Sequence, residues 1–526
     1  MKNKKISEDD VAVLILIFAV LFGTWLRLFP IWLAGFPLND GGMFYVMIQD
    51  LLSNQYSIPI YTTYNNLNIP FTYPPLGFYL GAMLTDILNL DTPLLIIQWL
   101  PGILNSICIL VFYLFAKEIT QNKLQSAIAT LVFSLTPHMT SWFSMGGGLT
   151  RSLGAIFMLM ALTFIYKVFV NESKKDIWGA ILFSGLTTLS HTESPLYTVI
   201  IAIYIWIMKS RSFRGMSHGL LIASGTFLLI SPWLISVINS HGISPFTSAS
   251  QTGLHSFSSF FRILNIDFVT EEIYLDLFGV AGVLGIALLV SRKNFFIPGM
   301  FLVTFLFLPR SAHTLGNIPL AIASGFLIIE ILVPSIHTPR IAVDEKSKIS
   351  QYKPLLFLLV LTPFALGNSL YYSILLSNKH VSEESRDAMQ WIKEATPTQS
   401  VFLVVSGEIN GFCDSTSEWF PALTNRKSLA TLQGNEWLLG NLFGEFISST
   451  QNFQACKHKG IECIISESKD FSTDFDYLYI QNHPSTFDCN PANASFSPES
   501  LIRELEQLPQ FQSVFISEEV IIFQKK

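Results

Sequence analysis

Charge is what this chain lacks. Only 13% of its 526 residues are Asp, Glu, Lys or Arg, against roughly 25% in a soluble domain. Half are hydrophobic, and mean hydropathy is +0.45. An ordinary soluble globule is excluded. The net charge of −6 says little about partners, because the charges are segregated along the chain, and no nucleic-acid partner is expected. Repeats are missing as well. No inverted similarity relates two halves, and few polar residues fall in mid-span, which speaks against a transporter or lipid flippase. Cysteine is scarce, five in all and none in C-x-x-C spacing, so paired-cysteine metal motifs are absent. No Lys or Arg occurs between Arg27 and Lys117.

What is present is a series of apolar runs near 20 residues, the mark of a polytopic membrane protein. We read eleven spans: 11–30, 94–116, 124–142, 150–170, 176–190, 195–208, 218–238, 274–291, 295–309, 314–333 and 354–376. The first run is too long for the apolar part of a cleavable leader, and no small-residue cleavage site follows. It is therefore expected to remain as a span. With the N-terminus cytoplasmic, the cytoplasmic segments hold 17 basic residues and the external loops before the last span hold three: Arg151, Arg262 and Arg310. That asymmetry fits the positive-inside rule and puts the tail outside the cell membrane. The fold class expected is an α-helical, multi-pass membrane domain over 1–376 followed by an extracytoplasmic α/β domain over 377–526.

Two apolar stretches are not counted as spans. Residues 43–54 are short, and 73–90 begin with Tyr73-Pro74-Pro75 and carry Asp86. Both read as helices lying in the outer interface, within a first external loop over 31–93. A loop of that length usually has a function.

In the tail, Ser382 is placed to cap a helix that Thr396-Pro397 stops. "VFLVVSG", "ECIIS" and "YLYIQ" read as strands, 443–458 as a helix, and "SVFISEEVIIFQ" as a hairpin turning at Glu518-Glu519. Cys413, Cys456, Cys463 and Cys489 lie here, and an even count on the oxidising side permits two disulfides in three pairings.

The polar groups of the external loops form the candidate site. They are Asp40, Tyr73, Arg151 in "SMGGGLTR", His191 and Glu193 in "SHTES", Asp267, Glu271 and Glu272, and Arg310 and His313 in "LPRSAHT". All come from loops at one end of one bundle, and ionisable groups at span ends beside apolar surface are functional candidates. Each also has a plainer role. Asp40 suits the N-cap of a helix starting near Gly42. Arg151 and Arg310 suit snorkelling to lipid headgroups. His191 and Glu193 suit a wet turn. Arg27 suits pairing with Asp40 or Asp50.

The order of a first span, an acid in a long external loop, a "YPPL" segment, a glycine-arginine turn opening a later span and a late "PR" resembles the GT-C membrane glycosyltransferases, such as protein O-mannosyltransferases and aminoarabinose transferases. The stretches "RDAMQWIKEATP" and "SEWFPALTNRKSLATLQGNEW" are similar to uncharacterised prokaryotic members. The resemblance spans roughly 10–375. It implies that a sugar on a polyprenyl phosphate or diphosphate passes to a lipid, glycan or protein acceptor at the outer face, within the cell envelope. Asp40 would take the acceptor's proton. Arg151 or Arg310 would steady the leaving phosphate, with Tyr73, His191, Glu193 and His313 lining the substrate. Relatives that use diphosphates point to Mg or Mn on Asp40, His191 and Glu193, though "SMGGGLTR" lacks the acid those relatives place there. The competing readings are a transporter or flippase, an envelope-polysaccharide ligase or polymerase, and a scaffold with an external binding domain.

Overall fold

The computed structural model describes residues 7–136, 140–251, 276–335, 343–471, 473–482 and 498–526. Arg262, Asp267, Glu271, Glu272, Arg340 and Cys489 lie outside the described residues.

Helix α1 (Glu8–Ala34) begins with a capping box. Ser7 accepts from the Asp10 N–H, and Asp10 accepts from the Ser7 N–H, which satisfies two groups the helix start leaves open. The helices α2 (Gly42–Ser53) and α3 (Leu76–Ile87) follow, joined by a two-strand ribbon of β1 (Tyr61–Thr62) and β2 (Ile69–Pro70). Next come α4 (Leu94–Thr120), α5 (Lys123–Ser134), α6 (Ser141–Ser144), α7 (Gly148–Val170), α8 (Ile177–Ser190), α9 (Ser194–Ile205), α10 (Phe213–His241), α11 (Ser244–Gln251), α12 (Leu277–Ser291), α13 (Phe296–Phe307), α14 (Ala312–Leu327) and α15 (Val343–Ser377).

Among the described residues, six helices are long and apolar enough to cross a bilayer: Glu8–Ala34, Leu94–Thr120, Gly148–Val170, Phe213–His241, Ala312–Ser335 and Leu358–Ser377. The chain is a multi-pass membrane protein. The expected spans 274–291 and 295–309 are α12 and α13, which together pass the same test as a single pair bent by 119°. The expected spans 176–190 and 195–208 are two short helices of 14 and 12 residues.

The expected span 124–142 is not one helix. α5 ends at Ser134, and Arg27 sits across its end. The Arg27 guanidinium donates to the carbonyls of Ser134 (2.8 Å) and Phe133 (3.3 Å), and its Nε donates to Asn105 Oδ1 (3.1 Å). A cation is well placed at a helix C-terminus, where the dipole is negative. Arg27 therefore pairs with neither Asp40 nor Asp50, contrary to expectation. Asp50 instead accepts from the hydroxyls of Thr62 and Thr63.

Ion pairs sort the helix ends into two sets. At one end Lys123 meets Asp9, Lys167 meets Glu118, Arg214 meets Glu172, and Arg292 meets Glu330. At the other, Asp40 meets Arg151, Glu193 meets Arg310, and the Asn39 N–H binds the Lys379 carbonyl at 2.6 Å.

This second end carries the C-terminal sheet. α16 (Glu383–Ala395) is capped by Ser382, which accepts from the Ser385 N–H. The strands β3 (Val401–Val405), β4 (Lys427–Ser428), β5 (Tyr477–Gln481), β6 (Phe511–Ile516) and β7 (Val520–Lys525) stand in the order β4-β3-β5-β7-β6. β3 runs parallel to β4 and β5, while β7 is antiparallel to β5 and β6. Period-two alternation sends Leu403 and Val405 to the far face, against Leu501 and Leu505. Phe402 and Val404 face α17 (Ser415–Thr424) and join one continuous core with the helices.

"ECIIS" is a helix (Ile461–Glu467), not a strand. Ile461 and Ile464 are buried while Ile465 is exposed, a three-residue spacing that a five-residue apolar run does not distinguish from alternation. Cys456 and Cys463 form a disulfide at its start, and Cys413 is also disulfide-bonded.

Candidate active site

Asp40 lies at the end of the bundle under the sheet, in the loop between α1 and α2. It does not cap α2. The N-cap is Gly41, with φ of +115°, and no side chain bonds the first turn. The carboxylate points the other way, to the turn before α7. Its Oδ1 accepts from the Gly147 N–H at 2.8 Å, and its Oδ2 accepts from Arg151 Nη1 at 2.8 Å. Arg151 also donates to the Trp142 carbonyl and stacks over the Trp142 ring, 5.1 Å from its centre. A planar guanidinium suits this combined use.

The glycines of "SMGGGLTR" make the approach possible. A Cβ on Gly146 would stand 2.0 Å from the Asp40 carbonyl oxygen, and one on Gly147 would stand 2.4 Å from Asp40 Oδ2. A Cβ on Gly41 would meet Gly146 at 2.8 Å. Two backbones touch here, and only residues without side chains allow it.

A second cluster lies beside the first. Arg310 Nε is 3.7 Å from Glu193 Oε1, and the Ser311 hydroxyl donates to the same carboxylate. Arg310 is half-exposed, and its guanidinium sits 5.9 Å from the centre of the Phe412 ring, which comes from the loop after β3. Burial raises the Glu193 carboxyl, but the Arg310 charge and the Ser311 hydroxyl outweigh it and hold it below the usual range. His191 accepts from or donates to Ser194 Oγ at 3.3 Å, and burial pulls its imidazole down to about 4. It is neutral at physiological pH.

Tyr73 joins the two clusters. Its ring packs against Phe44, Phe78, Trp437 and, at 6.4 Å, His191. Its hydroxyl lies 3.4 Å from Thr150 Oγ1, one residue before Arg151. Burial pushes the phenol up, so it acts as a hydrogen-bonding group rather than a base. His313 stands edge-on to Phe305 of α13.

The expected Mg or Mn set does not assemble. Among the described residues no three His, Cys, Asp or Glu come together as a metal site. Asp40 is engaged by Arg151 and Gly147, and Glu193 by Arg310 and Ser311. Among the described residues, Asp40, His191 and Glu193 do not form one ligand set for a divalent ion.

One residue of the site had no signal in the sequence. Glu418 of α17, only 4% exposed, accepts the Gly41 N–H at 2.8 Å. Its neighbour Trp419 donates to the Asn39 carbonyl at 3.0 Å and packs on Phe36 and Tyr45. The Asp40 loop is therefore gripped from two sides, by the glycine turn of α7 and by the tail.

No protein-family profile matches the chain, and no curated protein matches it by sequence. Its structure is nonetheless similar to solved membrane glycosyltransferases. The oligosaccharyltransferase of Archaeoglobus fulgidus, solved with Zn and sulfate, superposes with a TM-score of 0.54 over 89% of this chain and 68% of that one, at 14% identity. ArnT from Cupriavidus metallidurans, bound to undecaprenyl phosphate, gives 0.53 over 97% of each chain at 12% identity. The arabinofuranosyltransferase AftD from mycobacteria gives 0.50 at 12% identity over all of this chain, which spans 42% of that protein. At these identities the likeness is one of fold. The chain has a GT-C-like fold.

Proposed function

We propose that the protein is a membrane glycosyltransferase that moves a sugar from a polyprenyl phosphate or diphosphate to an acceptor at the outer face of the cell membrane. The observation that carries the reading is the Asp40–Arg151 pair, set next to the half-exposed Arg310 at one end of a bundle with this fold. The structure of ArnT with undecaprenyl phosphate supports a polyprenyl donor, and the oligosaccharyltransferase tethered to an acceptor peptide supports a separate acceptor.

In this reading the two arginines have different tasks. Arg151 is committed to Asp40 and Trp142, so it orients the base. Arg310 holds Glu193 only loosely, is partly open to solvent, and is free to swing to a phosphate. The acceptor's nucleophilic atom gives its proton to Asp40 and bonds to the anomeric carbon. The bond from that carbon to the phosphate oxygen breaks, and the electron pair leaves on the polyprenyl phosphate, where Arg310 meets the developing charge. His191, neutral, is available to hydrogen-bond sugar hydroxyls, with Tyr73 behind it.

The test is turnover of a polyprenyl-phosphate sugar by the full chain in lipid vesicles, compared with Asp40→Asn. The variant is expected to lose about 10²- to 10⁴-fold in kcat. Equal turnover by the two proteins rejects Asp40 as the base.

A further inference from the structure

We propose that Glu418, supplied by the C-terminal sheet region, is a positioning residue for Asp40, so that the catalytic site is built jointly by the helical bundle and the tail. The inference rests on the reaction assigned above and deepens it.

The geometry is specific. Gly41 has φ of +115°, in the region that favours glycine. Its N–H precedes the first turn and has no partner within the helix, and the Asp40 carboxylate is engaged by Gly147 and Arg151. Glu418 Oε1 accepts the Gly41 N–H at 2.8 Å. A Cβ on Gly42 would stand 2.7 Å from the Glu418 carbonyl oxygen, so the two backbones are in contact. The same carbonyl accepts from the Tyr64 hydroxyl at 2.7 Å, which ties α17 to the segment after β1. Asn39 completes the seam: its side-chain amide donates to the Phe412 carbonyl at 3.1 Å, and its own carbonyl accepts from Trp419. Residues 39, 40 and 41 thus each have a fixed partner, and two of the three are held by the tail.

A carboxyl is an unusual choice for holding an N–H in so dry a place. Burial and the adjoining Asp40 carboxylate push the Glu418 pKa well up. Arg151 stands 2.8 Å from the Asp40 carboxylate, while Glu418 takes the Gly41 N–H on the other side of the loop. A glutamine presents the same acceptor oxygen in the same shape, whereas an alanine leaves the Gly41 N–H without a partner.

The experiment compares Glu418→Ala and Glu418→Gln in the full chain, with two readouts. In turnover, Glu418→Ala is expected to lose about 100-fold in kcat, the scale on which a small displacement of a reacting group acts. Its KM for the polyprenyl-phosphate sugar is expected to change less than about threefold, since Arg310 is untouched. Glu418→Gln is expected to recover at least about tenfold of the lost kcat. In amide hydrogen exchange, the peptide over 36–45 is expected to exchange at least about tenfold faster in Glu418→Ala than in wild type, and near the wild-type rate in Glu418→Gln. Wild-type exchange in Glu418→Ala overturns the inference, as does a Gln variant as impaired as the Ala variant. If wild type turns over no polyprenyl-phosphate sugar, the assigned reaction falls, while the exchange measurement still decides whether Glu418 holds the Asp40 loop.

Discussion

Arg151 Nη1 lies 2.8 Å from Asp40 Oδ2, and the two residues are 111 positions apart in the chain. Their side chains are 27% and 11% exposed, so the pair is largely withdrawn from water. Removing one partner leaves the other charge stranded, at a cost of about 3 kcal/mol. Arg151→Met is expected to destabilise the protein by that order, and Asp40→Asn in the same background is expected to restore part of it. Thermal unfolding of the two single variants and the double variant closes the cycle. Strictly additive effects would contradict a direct pair.

Gly146 and Gly147 are expected to be as sensitive as the acid they surround. An alanine at 146 places its Cβ 2.0 Å from the Asp40 carbonyl oxygen, and one at 147 reaches Oδ2. The loop must retreat, and turnover is expected to fall about 100-fold or more in either variant. Gly444→Ala is the control, because a Cβ there meets nothing within 4 Å. Turnover by Gly146→Ala at the control's level would show that Asp40 does not depend on this contact.

His191 makes stability fall on the acid side of neutrality. Burial, aided by the Arg151 and Arg310 charges and opposed by Glu193, pulls its folded pKa down from the ordinary 6.5 to about 4. Between those values the unfolded chain binds a proton that the folded chain does not, so stability rises with pH through that window. Lowering the pH from neutrality to about 4 is expected to lower the melting temperature of wild type more than that of His191→Gln. Parallel melting curves for the two proteins across this range would remove His191 as the cause.

Arg310 is expected to act on the leaving group. Arg310→Ala should lower kcat by about 10²- to 10³-fold, in the range of losing one donor to a developing charge. Arg310→Lys should recover little, because an ammonium lacks the fork that spans two phosphate oxygens. Full activity in the alanine variant, measured with the same donor and acceptor, would move the phosphate elsewhere.

Much of the fold was legible because it depends on local rules. The charge pattern marked the helix ends that meet in ion pairs, such as Lys123 with Asp9. Ser382 announced α16, and the alternating run after Phe511 announced the final hairpin. Asp40 and Arg151 stood out because each is an isolated charge at the end of an apolar run. Their bond to one another did not, since nothing local links two loops of a bundle. Glu418 was the hardest case. It is one acid in a tail of ordinary charge density, and its partner Gly41 lies 377 residues away. The break after Ser134 was hidden for a similar reason, because the guanidinium that closes α5 arrives from α1. "ECIIS" failed on period, being too short to separate a helix from a strand.

The grip of α17 on the Asp40 loop has a consequence for biogenesis. A membrane protein is threaded into the bilayer in order of synthesis, the N-terminal segments first. The loop at 39–41 emerges early, yet Glu418 and Trp419, which fix it, are made after every span. Under the proposed function, the nascent chain can sit among lipid-linked sugars with its acid unaimed until the tail has folded back onto the first loop. On that reading competence arrives in one late step, and a chain halted during synthesis is a silent one.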